Sequence, residues 1–142
     1  GGAVAALEMQ YKLVRVGVRA VPHIDSEMQV VSATLLTPSD AAVAISHSGR
    51  SPDVIHATEL ARKSGAKTIA ITNHPQSTLA RTAEINLCTA AQEALASGYP
   101  LGARVAQVVL IDILYAAMYL KRQADTDRRL ADIGNALLGQ QG

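Results

Sequence analysis

Three serines and a glycine fall within the six residues Ser46-His47-Ser48-Gly49-Arg50-Ser51. Hydroxyls at this density, beside a glycine that lets the backbone come close to a bound group, suit an oxyanion such as a phosphate ester. The flanking residues say what must hold them. Upstream, Ala41 to Ile45 is a continuous apolar run of strand length, suited to burial on both faces. Downstream, Ser51 is a good N-cap, Pro52 suits the first helical position, and Asp53 to Ala61 has helical composition. The stretch therefore reads as strand, hydroxyl-rich turn and helix N-terminus. The first N–H groups of a helix lack internal partners and carry the positive end of its dipole, so an anion docked there is stabilised. The turn is not a Walker loop, because the Gly-Lys-Ser/Thr ending is absent, and it lacks the spaced glycines of a dinucleotide fingerprint. The competing reading is structural only: Ser51 caps the helix and the other serines turn the chain.

The rest of the chain repeats the unit that carries this turn. An opening helix places Val4, Leu7, Tyr11, Val14 and Val18 on one face, with Gly17 as its stop. Val18 to Ile24 reads as a short strand, and Ser26 with Gln29 forms a capping-box pattern for a second helix to about Leu36. Thr37 to Asp40 turns into the Ala41 strand. The helix after the serines ends at Ser64-Gly65, and Ala66 to Thr72 is the next strand. Ser77 caps a short helix over Thr78 to Thr82, and Glu84 to Cys88 is a further strand. Strands alternating with helices imply a parallel sheet with right-handed crossovers. Ligands of such sheets sit beyond the carboxyl ends of the strands, where Ser46 to Ser51 and Thr72 to Ser77 both fall. Thr89 to Gly102 is a long polar connection containing Glu93, and a helix from Gly102 to Lys121 follows, apolar almost all round. The last helix, Asp125 to Leu138, is more polar. An all-round apolar helix in so small a domain meets a partner subunit as well as its own core, so a homodimer at least is expected.

Composition narrows the function. The 142 residues suit one domain, and 49% hydrophobic content is ample for a core. Phe and Trp are absent, which leaves few platforms for stacking nucleobases, and the net charge of +1 gives no basic footprint for duplex DNA. Cys88 is the only cysteine, so no internal disulfide forms, and it reads as a small buried strand residue. No secretory pattern opens the chain, and the apolar run Val105 to Leu120 is interrupted by Gln107 and Asp112. A cytoplasmic protein without a membrane span is expected, with no metal and no cofactor.

Several stretches together carry a resemblance. Ile45 to Ser51, followed by Gly65-Ala66-Lys67-Thr68-Ile69-Ala70-Ile71-Thr72-Asn73, resembles the SIS (sugar isomerase) domain. Gln10 to Gly17, Asp25 with Gln29, Glu93, Gly102 to Gln107 and Ile111-Asp112-Ile113-Leu114 make it most similar to the ligand-sensing half of RpiR-type bacterial transcriptional regulators. The resemblance implies an α/β, flavodoxin-like parallel sheet flanked by helices. A sheet of that type begins with a strand before its first helix, and nothing upstream of Gly1 supplies one. The resemblance also implies that Ser46, Ser48 and Ser51, with the backbone of His47 and Gly49, hold the phosphate of a phosphorylated sugar. Glu93 would lie near the sugar end. Gly2 stands where the family carries another ligand-binding serine, so one hydroxyl is absent. In the family a helix-turn-helix domain precedes this one and binds operator DNA as a dimer or tetramer. This chain lacks that domain and should not read DNA alone.

An effector-binding and oligomerisation domain of a regulator of sugar metabolism is thus the expected function, and not an enzyme. The alternative is a stand-alone aldose–ketose phosphosugar isomerase. That reaction moves a proton between the first two sugar carbons and needs a base with access to them. Glu93 is the loop carboxylate placed for it. His23, His47, His56 and His74 are the candidate partners, and spacing pairs none of them.

Overall fold

In the computed structural model, which describes residues 2–91 and 101–139, the strands lie side by side because each apolar run is followed by a helix that returns the chain to the same end. The helices are α1 (Ala3–Arg15), α2 (Ser26–Leu35), α3 (Pro52–Lys63), α4 (Thr78–Thr82), α5 (Leu101–Lys121) and α6 (Gln123–Gly139). Strands β1 (Ala41–Ile45), β2 (Lys67–Thr72) and β3 (Ile85–Cys88) form a parallel sheet in the order β1-β2-β3, with Ala44 opposite Ala70 and Ala70 opposite Asn86. The parallel sheet flanked by helices agrees with the α/β expectation. Among the described residues, the outer edge of β1 has no partner strand.

The core is built from small side chains. Ala70, Leu79 and Ala83 are buried together, with Ala44, Val54 and Ile55 packed against them, so α3 and α4 close on one face of the sheet. Alanines on both sides let helix backbones sit near the strands, which replaces the bulk that aromatic residues would supply. Elsewhere α2 packs on α3, α1 on α5, and α5 on α6. Gly17 and Gly65, both at positive φ, end α1 and α3 as C′ residues, with Val18 N–H returning to the Leu13 carbonyl and Ala66 N–H to that of Ala61.

Four expectations need correction. Val18 to Ile24 is not a strand: it runs as irregular chain without a ladder, Pro22 has no N–H to offer one, and Val21 and Ile24 are exposed. The cap of α2 is Asp25 and not Ser26. The Asp25 carboxylate accepts from Met28 N–H at 3.1 Å, while Gln29 turns its amide to the carbonyls of His23 and Ile24. Cys88 is exposed and not buried: among the described residues β3 is an outer strand with only Leu87 half-covered. Ser51 does occupy the N-cap position of α3, with Pro52 at the first turn, but its hydroxyl makes no capping bond.

Periodicity located the apolar stripe of α1 for Val4, Leu7, Tyr11 and Val14, whereas Val18 follows the Gly17 stop and lies outside the helix, and the stripe is not core. Val4, Leu7, Tyr11 and Val14 are all about half exposed (48–56%). The outer face of α5 is similar, with Val105, Val109, Ile113 and Leu120 open to solvent. By length and composition alone, Gly102–Lys121 is long and apolar enough to cross a membrane, at a mean hydropathy of 1.6. Asp112 nonetheless sits on this helix, ion-paired at 3.3 Å with Lys12 of α1, whose ammonium also lies 5.4 Å from the Tyr115 ring.

Candidate functional site

The serine turn begins where β1 loses its ladder. Ser46 N–H still donates to the Ile71 carbonyl at 3.0 Å, extending the sheet by one bond. The chain then folds back on itself, and Gly49 N–H donates to the Ser46 carbonyl and to Ser46 Oγ, both at 3.2 Å. Gly49 sits at φ 66. Only glycine fits there: a Cβ would meet Ser77 Oγ at 2.1 Å and Thr72 Oγ1 at 3.0 Å. Its carbonyl accepts from Leu79 N–H at 3.0 Å, which ties the turn to α4.

This bonding pattern has a chemical consequence. Ser46 Oγ accepts from Gly49 N–H and Ser48 Oγ accepts from Arg50 N–H at 3.2 Å. Both oxygens are therefore held in place as acceptors while their O–H protons remain available to a ligand. Ser51 spends nothing on its cap. Among the described residues, the N–H groups of Ser48 and Ser51 also have no acceptor. Two of its carbonyls, by contrast, are engaged away from the turn: that of His47 accepts from Asn73 N–H at 3.0 Å and from Thr72 Oγ1 at 3.1 Å, and that of Gly49 from Leu79 N–H at 3.0 Å. Donors left over at the serines, beside carbonyls of His47 and Gly49 that are already occupied, favour an anion over a cation at this turn. Ser46 and Gly49 are buried, His47, Ser48 and Ser51 half-buried, and the first turn of α3 completes the corner.

A second loop reaches the same corner from β2. The Thr72 side chain is fully buried, donates to the His47 carbonyl and accepts from His74 N–H at 3.2 Å. Asn73 Oδ1 accepts from Thr89 Oγ1 at 3.1 Å and from Ala91 N–H at 2.9 Å, joining the ends of β2 and β3. Sequence reasoning placed Thr72 to Ser77 at the right end of the sheet without singling out Thr72 or Asn73. The legible signal was a polar pair closing an otherwise apolar strand.

Most of the remaining candidates can be placed. Gly2, at the N-cap of α1, stands against the end of β1, where a Cβ would lie 2.5 Å from the Ile45 carbonyl oxygen. A serine there would need the helix start to move, so glycine and not a hydroxyl fits this corner. His47 and His74 are brought together, ring centroids 5.8 Å apart and planes at 72°. His56 lies apart from them, exposed and 3.9 Å from Glu59. His23 offers its carbonyl to Gln29 at the start of α2. Glu93 lies outside the described residues. Among those residues, no cluster of His, Cys, Asp or Glu has the composition of a metal site. A surface depression of about 670 Å³ runs along α3 beside α4, lined by His56, Glu59, Leu60, Arg62, Lys63 and Thr82. It is broad and open, and none of the serine-turn residues lines it.

Comparison with known proteins bears on this arrangement. The SIS domain family profile matches residues 2–117. The HTH-type transcriptional regulator RpiR of Escherichia coli is 36% identical over 118 residues, which is 83% of this chain and 40% of that protein. The Vibrio vulnificus NanR protein, solved in complex with ManNAc-6P, superposes with a TM-score of 0.88 at 24% identity, over 98% of this chain and 52% of that one. The sugar isomerase domain of an RpiR transcription factor from Sphaerobacter thermophilus gives a TM-score of 0.82 at 21% identity, over 94% of this chain and 73% of that one. The chain thus spans about half the length, or less, of the full regulators it matches.

Proposed function

The chain belongs to the SIS domain family, and from that premise we propose that it is the phosphosugar-sensing and oligomerisation domain of a bacterial transcriptional regulator of sugar metabolism. The observation that carries the reading is the state of the serine turn. Its hydroxyls are fixed as acceptors by backbone N–H groups, their protons are uncommitted, and Ser51 leaves its cap unmade. A turn that only needed to cap α3 would use Ser51 for that purpose. Ser46, Ser48 and Ser51, with backbone N–H groups of the turn, bind the phosphate. Neutral donors hold a dianion reversibly, which suits an effector. Residues 1–142 act as one domain, and Gly2 packs against the site without donating to the ligand. The full regulator works in the cytoplasm and reads operator DNA through a helix-turn-helix domain outside this chain. The half-exposed stripe of α1 and the apolar outer face of α5 are covered by a second copy, giving a dimer or tetramer. That arrangement also accounts for so apolar a helix without a bilayer.

Calorimetric titration with a panel of pentose, hexose and N-acetylhexosamine phosphates tests the binding. At least one should bind with a stoichiometry of one per chain, and binding of none would overturn the proposal. The competing reading, aldose–ketose isomerisation, is favoured by one observation, the imidazoles of His47 and His74 meeting beside the turn. Turnover of the bound sugar phosphate would establish it.

A further inference from the structure

Resting on the phosphosugar reading, the geometry points to Asn73 as a residue that selects the sugar part of the ligand, through hydrogen bonds donated by its side-chain amide. The orientation of that amide is unambiguous. Ala91 N–H can only donate, so the Asn73 atom 2.9 Å from it must be the oxygen, and Thr89 Oγ1 occupies the same oxygen at 3.1 Å. The amide nitrogen is left with two N–H donors and no acceptor among the described residues. It is not among the fully buried atoms without a partner, and Asn73 is half-buried directly after the carboxyl end of β2, so the amide nitrogen is not sealed from solvent.

The same residue is one hydrogen bond from the phosphate corner. Asn73 N–H donates to the carbonyl of His47, between Ser46 and Ser48, and Thr72 Oγ1 supports that carbonyl from the same side. With its phosphate on the serine turn, a sugar running along this edge of the sheet would reach Asn73. Two fixed donors there match an oxygen acceptor, either a hydroxyl or an acyl carbonyl. The clamp to Thr89 and Ala91 removes the amide's freedom to turn, so the donors need no ordering on binding. Asn73 is then a specificity residue, while the serines supply the affinity that any phosphate ester shares.

Asn73→Asp tests this. It keeps the oxygen bonded by Thr89 and Ala91 and exchanges both donors for an acceptor. Calorimetry would compare the best sugar phosphate of the panel with inorganic phosphate in wild type, Asn73→Asp and Thr89→Val. Added negative charge weakens both ligands alike, so the ratio of their affinities isolates the sugar contact. Asn73→Asp should lower that ratio at least tenfold, and Thr89→Val, which leaves Ala91 N–H to hold the amide oxygen, should lower it by clearly less. Equal weakening of both ligands by Asn73→Asp would overturn the inference, as would a matching loss of ratio in Thr89→Val, since Asn73 would then act only through the clamp. If Asn73→Asp does not fold, the Asn73 side-chain amide signals of wild-type protein decide. They should shift with the sugar phosphate and stay in place with inorganic phosphate, and the reverse would overturn the inference. Failure of wild type to bind any sugar phosphate is a different outcome, which removes the phosphosugar reading itself.

Discussion

Ser48→Ala is the sharpest perturbation of the turn because the structure separates its two effects. Ser48 Oγ does one visible thing, accepting from Arg50 N–H at 3.2 Å in an exposed part of the turn. Water replaces that bond when the hydroxyl is lost, so the stability change should stay under about 1 kcal/mol. The effect on a phosphate is larger. The hydroxyl proton is the donor, the acceptor is charged, and a hydrogen bond to a charged group is worth about 1.5–3 kcal/mol. At about 1.4 kcal/mol per tenfold, that converts to a loss of roughly 10- to 150-fold in affinity. Calorimetry with the best sugar phosphate reads the affinity, and thermal unfolding without ligand reads the stability. An unchanged Kd with an unchanged Tm would refute the reasoning, because it would place the anion elsewhere. A large fall in Tm would show instead that the hydroxyl is structural.

Gly49→Ala should lower stability by about 1–3 kcal/mol, from the positive φ alone, and abolish binding, since the new Cβ collides with Ser77; urea unfolding and titration measure the two. Thr72→Val keeps the shape of a fully buried side chain but deletes its bonds to the His47 carbonyl and His74 N–H, so a loss of about 1–3 kcal/mol with weakened ligand binding is expected on chemical denaturation. At the elbow between α5 and α6, the hydrogen bond from Arg129, with the charges of Arg129, Arg128 and Arg122, holds the Asp125 carboxyl below its ordinary value against a smaller desolvation effect. A lowered carboxyl contributes its stability in full above the ordinary carboxylate range and loses it as pH falls through that range towards the folded value. Helical signal from α6 should therefore be flat from pH 7 to about 5 and decline below that, and Asp125→Asn should remove the dependence; a circular dichroism titration checks both. Ile113→Glu, on the exposed face of α5, should yield monomers by light scattering if a second copy covers that face.

The alternation of apolar strands with capped helices was readable because each boundary is set locally. Pro52 opens α3, Gly65 closes it, and Ser77 caps α4 through Ala80 N–H as its position suggests. What sequence misjudged depends on partners far along the chain. Val18 to Ile24 has strand composition but joins no ladder among the described residues, and Cys88 has a buried residue's chemistry on an outer strand. The stripe of α1 shows which face is apolar, not what covers it. At the site, the serines were visible from spacing, but the direction of their hydrogen bonds was not. That Ser51 leaves its cap unmade, that Gly49 lies under Ser77, and that Gly2 has no room for a hydroxyl are facts of three-dimensional contact.

A crystal structure of the chain with its tightest-binding sugar phosphate tests the central claim most directly. The account predicts the phosphate between Ser46, Ser48 and Ser51 at the start of α3, with the sugar running towards Asn73. A phosphate seated instead in the depression lined by Arg62 and Lys63, with the serine turn unoccupied, would contradict it.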